Sequence, residues 1–369
     1  MMLNNAKVAM REFIRNFLCG KIDEKFAFFG SSFLGFGGQT VDFTVPVIDN
    51  FGDLGFALSL AIELLERKKD LKIRFFSENY ELFLDMLDGQ ISKNLEYLEL
   101  KDWSTSTHSP IRCNFFGEKI REEDLIGQKY PTKILNFDYL QFHKDRGMGN
   151  PGVGSLHGTS YNIAETEVIH IVPSLLPEGG GVVIPKEHHP LSRSEFLKYI
   201  GETSDLIDRH WCSIFVYSDT LLSMKEVFKK YPEWVFFVCG VDGKIEMKNV
   251  VTLPFLPLGI YGAFLKHCDA NIVRGENSLV SALLAGKPFL WDIYKENNGA
   301  HLGKMEDFGE YVDGVIPGFR DVLKEFIEDG GVGESVERLF GEDRERFERL
   351  GKVVREGNLV RLVMRMIEN

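Results

Sequence analysis

Hydrophobic and polar positions along the chain fall into two alternating periods. Short apolar runs rich in β-branched and aromatic residues occupy residues 41–48, 73–76, 95–100, 134–140 and 168–172, and each predicts a strand. Between the first two, Leu54, Leu58, Ala61, Ile62 and Leu65 share one face at helical spacing, so residues 54–67 predict a helix. Residues 82–87 predict a shorter one. Pro46 is awkward inside the first run, because proline cannot donate to a central ladder. A second series follows, with strands predicted at 214–217, 234–239, 250–253, 270–273 and 289–293. Helices are predicted at 224–231, 261–267 and 279–285, and a mostly charged helical tail over 336–367. Near the N-terminus Met10, Phe13, Ile14, Phe17 and Leu18 recur at helical spacing. Glu12, Asp23 and Glu24 interrupt that stretch, so it reads as an amphipathic helix and not as a secretory leader.

Strands alternating with helices imply parallel sheets with helices on their faces. The Gly/Pro-rich stretch at 177–190 separates the two series and reads as a linker or domain-edge loop. The expected architecture is therefore α/β, with two Rossmann-like doubly wound domains facing each other across a cleft. We assign 41–185 to the first domain, joined by a C-terminal helix at 345–369, and 205–344 to the second. Residues 1–40 remain an unassigned extension. In such sheets ligands bind beyond the carboxyl ends of the strands, and the cleft is the natural site.

Composition narrows the function. The chain has 369 residues, 44% of them apolar, which is enough for large cores. Lys and Arg number 43 against 55 Asp and Glu, a net charge of −12. That excess argues against non-specific nucleic-acid binding and against docking on an anionic membrane. No uncharged apolar run reaches the roughly 18 residues of a membrane span. The cysteines at 19, 113, 212, 239 and 268 have no C-x-x-C spacing, which suggests reduced thiols in the cytoplasm and no zinc knuckle. His188 and His189 have no Cys or carboxylate at ligand spacing, so they read as a solvated linker pair. The stretch 147–152 formally fits G-x-G-x-x-G, but it does not directly follow a strand and Pro151 opposes the required turn.

Three constellations can carry chemistry. Asp49-Asn50-Phe51-Gly52-Asp53 lies between the first strand and the first clear helix, with two carboxylates four residues apart. Asp53 there gains from the helix dipole. The same residues also describe an ordinary helix N-cap in an Asp/Asn/Gly turn. Arg274-Gly275-Glu276-Asn277-Ser278 ends a strand and opens a helix, where free backbone N–H groups, the Ser278 hydroxyl and the Arg274 fork suit a phosphate. A capped helix start with a surface Arg274–Glu276 pair is the plainer alternative. Phe215, Tyr217, Tyr261 and Tyr294 stand at strand ends, where two of them can stack a planar base, although aromatics in a chain with 30 Phe are commonly core.

In this order the motifs resemble the protein-arginine rhamnosyltransferase family EarP, which acts on translation elongation factor P. The resemblance runs through residues 47–55, Leu135 to Leu140, Pro173 to Gly181, Arg274 to Val280, Ala285 to Tyr294 and Ala300-His301. It implies a GT-B glycosyltransferase that moves L-rhamnose from dTDP-β-L-rhamnose to one arginine of elongation factor P, inverting the anomeric centre and using no cofactor or metal. Asp53 matches the family's proposed general base, Asp49 its companion, and Asn50, Phe51 and Gly52 the donor-side turn. Phe215, Tyr217 and Tyr261 fall where the family binds thymine. Arg274, Gly275, Glu276, Asn277, Ser278 and Tyr294 fall where it holds the nucleotide sugar, with Glu276 at the chemical end. The 41–185 domain would take the acceptor and the 205–344 domain the donor.

The residue types fit that chemistry. Proton transfer from a guanidinium to a free aspartate, taken as a separate step, costs roughly 11–12 kcal/mol. Proton loss must then accompany C–N bond formation, or Asp49 must raise Asp53. Asn277 stands where the family usually has Asp, and Leu258 where a Gln reads the base. Leu258 motivates one alternative, a GT-B enzyme with another nucleotide sugar or acceptor. A non-catalytic relative that binds elongation factor P, and an epimerase of the same fold, are the others.

Overall fold

The computed structural model describes residues 39–47, 52–87, 92–106, 109–116, 133–142, 157–176, 179–186, 191–295, 299–327 and 331–368. The helix expected around residues 10–18, the G-x-G-x-x-G stretch, the His188-His189 pair, and Asp49, Asn50 and Phe51 lie outside them. Contacts divide the described residues into two compact units. Unit 1 takes those of 39–81, 90–137 and 159–170, and unit 2 those of 82–89, 138–158 and 171–368.

Unit 1 is built on strands β1 (Thr40–Val45), β2 (Lys72–Ser77), β3 (Leu95–Glu99), β4 (Ile111–Phe115), β5 (Lys133–Phe137), β6 (Ser160–Ile163) and β7 (Thr166–Ile171), in the order β3-β2-β1-β4-β5-β7-β6. β1, β2, β3, β4 and β5 pair in parallel, whereas β6 and β7 form an antiparallel pair at the edge, so this sheet is not purely parallel as expected. β1 lies between β2 and β4 and stops at Val45, one residue before Pro46. The proline therefore removes no ladder donor.

The two faces of this sheet differ in chemistry. On one, Phe43, Phe115 and Phe137 are fully or almost fully buried, with Phe115 and Phe137 stacked at 4.7 Å. Helix α1 (Gly52–Arg67) lays Phe56 against both rings. On the other, buried Asp42 takes the Arg74 fork at 2.8 and 2.7 Å, and Thr44, Asn114 and Asn136 form a hydrogen-bonded row across three strands. Asp42, Thr44, Asn114 and Asn136 each meet a partner there, as burial demands. Helix α2 (Tyr80–Leu87) follows β2.

Unit 2 carries β8 (His210–Ile214), β9 (Trp234–Val238), β10 (Val250–Thr252), β11 (Ala270–Arg274) and β12 (Phe289–Asp292), all parallel, in the order β10-β9-β8-β11-β12. The connecting helices are α3 (Arg193–Ile200), α4 (Ser218–Lys230), α5 (Leu258–His267) and α6 (Glu276–Ala285). Beyond β12 come α7 (Ala300–Asp313), α8 (Phe319–Ile327), α9 (Val332–Gly341), α10 (Arg344–Val354) and α11 (Leu359–Glu368). β8 begins four residues earlier than expected and ends at Ile214, so Phe215 and Tyr217 lie in the loop after it. The tail is three helices, not one.

The C-terminal helices cluster with unit 2, and not with the N-terminal domain to which 345–369 was assigned. α10 packs on α6 so closely that a Cβ on Gly351 would stand 2.8 Å from the Leu283 carbonyl oxygen. Arg355 Nη2 donates to the Leu284 carbonyl at 2.7 Å. Among the described helices none is long and apolar enough to cross a membrane.

Candidate active site

Strand order locates the site in unit 2. From β8 the chain winds outward to β9 and β10, then returns to place β11 on the other side of β8. Loops leaving β8 and β11 diverge at such a switch point and leave a crevice above the strand ends. Phe215 follows β8 and Arg274 ends β11, so both belong to this crevice, and the Phe215 N–H donates to Ile272 O at 2.8 Å.

Arg274 is fixed from several sides. Its Nη1 donates to the Val216 carbonyl at 3.1 Å. Its guanidinium carbon lies 4.5 Å from the centre of the Phe215 ring and 4.9 Å from that of Tyr217. Aromatic faces at these distances hold a cation in place while leaving its other donors available. Tyr261 meets Phe215 edge-on at 6.3 Å, and Tyr217 meets Tyr294 edge-on at 5.7 Å. Tyr294 is 63% exposed, the open lip of this aromatic group. The Tyr261 hydroxyl is buried beside Ser278 without a hydrogen bond of acceptable geometry, and burial pushes its pKa up.

Gly275 adopts φ 71°, ψ 158°, a region essentially reserved for glycine, and turns the chain from β11 into α6. α6 has no side-chain cap, so the amides of Glu276, Asn277 and Ser278 open the helix without one. Ser281 Oγ donates to Asn277 O at 3.0 Å, and Leu258 is the first residue of α5. The Glu276 carboxylate has both oxygens engaged. Oε2 accepts from the Leu140 N–H at 2.9 Å, and Oε1 pairs with Lys304 of α7.

Several groups that shape this crevice were not anticipated. Gly240, just after β9, has φ +70°, and a Cβ there would stand 2.6 Å from the Phe215 ring. Buried Asp292, at the end of β12, accepts from the Tyr217 N–H at 2.7 Å and from Thr220 Oγ1 at 3.0 Å. Burial raises its pKa, against the pull of those two hydrogen bonds. Burial also pushes the neighbouring Cys239 thiol up to about 12, only partly offset by Arg274, so it is no nucleophile at neutral pH. A glycine directly after a strand and a carboxylate at a strand end are the signals that mark Gly240 and Asp292 in the sequence. Lys304 leaves none.

Asp53 belongs to unit 1. It is the second residue of α1, 2% exposed, and α1 follows β1 at the point where the strand order of that sheet also reverses. Gly52 opens the helix. The structure thus brings together Phe215, Tyr217, Tyr261, Arg274, Gly275, Glu276, Asn277, Ser278 and Tyr294 in unit 2. Asp53 and Gly52 stand at the corresponding turn of unit 1.

Comparison with known proteins decides the family. The model of the elongation factor P (EF-P) rhamnosyltransferase EarP matches residues 188–352. A protein-arginine rhamnosyltransferase of Pseudomonas putida is 46% identical over 314 residues, covering 73% of this chain and 80% of the relative. The chain belongs to the EarP family. A structure solved as the basis for EarP-mediated arginine glycosylation of EF-P is 17% identical, with a TM-score of 0.54, and the match covers 89% of this chain and 99% of that one. A UDP-GlcNAc 2-epimerase from Neisseria meningitidis is 13% identical, with a TM-score of 0.56 and coverage of 90% and 100%. These likenesses establish a GT-B-type α/β fold. That fold serves transferases and epimerases alike, so EarP membership and not fold separates those classes.

Proposed function

We propose that this protein transfers L-rhamnose from dTDP-β-L-rhamnose to an arginine side chain of translation elongation factor P, inverting the anomeric centre, with Asp53 as general base. The observation that carries the reading is the Arg274 cradle, a guanidinium held against the Phe215 and Tyr217 rings beside an uncapped, glycine-led helix start. A planar base suits Phe215, Tyr217 and Tyr261, and a diphosphate suits Arg274 and the α6 amides. In this reading Glu276 orients the sugar, and Asn277, Ser278 and the Tyr294 hydroxyl complete the polar wall.

Each unit contributes half of the chemistry. The acceptor guanidinium loses a proton to Asp53 as its nitrogen attacks C1 of the sugar. The glycosidic C–O bond breaks and its electron pair leaves on dTDP. Arg274 and the α6 N-terminus stabilise the negative charge that grows there, so the reading assigns leaving-group stabilisation to them and not to a divalent cation. Asp49, four residues before Asp53, is read as its companion, and Asn50 and Phe51 as the donor-side turn.

Leu258 favours a second reading, in which the base differs from thymine. Intact-mass spectrometry of EF-P incubated with this protein and dTDP-rhamnose separates the two. The expected result is a gain of one deoxyhexose on an arginine-containing peptide. No gain with dTDP-rhamnose, but transfer from a UDP- or GDP-sugar, would overturn the donor assignment. No gain with any donor would overturn the acceptor.

A further inference from the structure

Glu276 presents a difficulty that rests on the donor reading. A carboxylate on the first residue of α6 stands where a diphosphate is to bind, and like charges repel. The structure resolves it within unit 2. Lys304, from α7, pairs with Glu276 Oε1 while the Leu140 N–H holds Oε2 at 2.9 Å. The two side chains are 30% and 26% exposed, so water screens the pair only in part. Arg274 faces buried Asp292, as does Lys295, whereas Lys304 is the cation paired with Glu276. Without Lys304, the Glu276 carboxylate would open α6 with only the Leu140 N–H against it.

We propose that Lys304 is the positioning residue of the donor site: it fixes the Glu276 carboxylate against Leu140 and neutralises it, so that the α6 N-terminus accepts an anionic diphosphate. Lys304 acts through Glu276 and contacts no reacting atom. Its loss frees one oxygen of Glu276, lets the side chain leave Leu140, and returns an uncompensated negative charge to the anion site. The effect depends on that charge, which separates it from a packing role for α7.

The test is a thermodynamic cycle read by calorimetry with dTDP as the probe, with melting temperatures recorded in parallel. Lys304→Met should weaken dTDP binding by on the order of tenfold, the scale of one charge-assisted contact. Lys304→Arg should restore affinity to within about twofold, since it keeps the charge. In a Glu276→Gln background, Lys304→Met should change affinity less than about twofold, because no charge remains to neutralise. If Lys304→Met melts early, Lys304→Gln takes its place in the cycle. Unchanged dTDP affinity in Lys304→Met, or an equal loss in both backgrounds, overturns the inference while leaving the donor reading intact. A wild-type protein that binds neither dTDP nor UDP nor GDP overturns the donor reading and this inference with it.

Discussion

At the scale of single residues, the crevice depends on what is missing as much as on what is present. Gly240 leaves room for the Phe215 ring, which in turn backs Arg274; a Cβ there would approach the ring to 2.6 Å, on a backbone with φ +70°. Gly240→Ala should therefore push Phe215 toward the cradle and strain the turn. The expected outcome is roughly tenfold weaker dTDP binding by calorimetry, with melting lowered by about a few degrees. Unchanged affinity would show that Phe215 does not hold the base. Arg274, Glu276 and Ser278 were legible as candidates in the sequence because they cluster at a strand-to-helix turn, where a capped helix start was the plainer alternative. Gly240 carried only the signal of a glycine after a strand, and Lys304 none, because what each does is fixed by contacts with residues distant in the chain.

At the scale of elements, Asp292 does for α4 what a local cap usually does. Tyr217 precedes the helix and offers no side-chain cap, and the carboxylate arrives from β12, 75 residues away, to accept from the Tyr217 N–H. Its pKa is raised by burial above the ordinary 3.8. The folded state then holds the proton more tightly than the unfolded chain. That contribution is fully present below the unfolded pKa and is lost as pH rises through the folded one. Asp292→Asn keeps an acceptor for Tyr217 and lets the Thr220 hydroxyl reverse its role. As pH rises above about 4, the wild type should lose melting temperature relative to this variant. Parallel pH curves for the two proteins would refute the assignment.

Most strands were legible as short apolar runs, yet their limits were not. β8 was displaced because His210 and Ser213 break its apolar pattern, although Ser213 is fully buried and bonded to Asn271 at 2.7 Å. α7 was missed because Gly303 and Gly309 lower its propensity, while its buried Met305, Phe308 and Val312 keep helical spacing. A Cβ on Gly309 would stand 2.7 Å from the Arg320 side chain, so close packing of α7 on the segment that opens α8 requires that residue.

At the scale of the whole molecule, the chain crosses between units at 137–138, 158–159 and 170–171, as well as around 82–89. The composition change at 177–190 marks no crossing, since its described part, 179–186, lies within unit 2; which sheet each returning segment joins is settled by contacts and not by local sequence. The division has a functional consequence. Asp53 belongs to unit 1 and Arg274 to unit 2, so binding and chemistry should separate by mutation. Asp53→Asn removes the proton acceptor with little change in volume and leaves every described donor-side residue in place. It should bind dTDP within about twofold of the wild type yet lose at least about a hundredfold in transfer rate, the usual range for a general base. Arg274→Ala should do the reverse first, weakening dTDP by roughly ten- to a hundredfold through loss of a charge-assisted contact. Calorimetry and a mass-based transfer assay on the same two variants decide it. An Asp53→Asn protein with full turnover would remove Asp53 from the mechanism, and an Arg274→Ala protein with wild-type dTDP affinity would remove the cradle on which the donor reading stands.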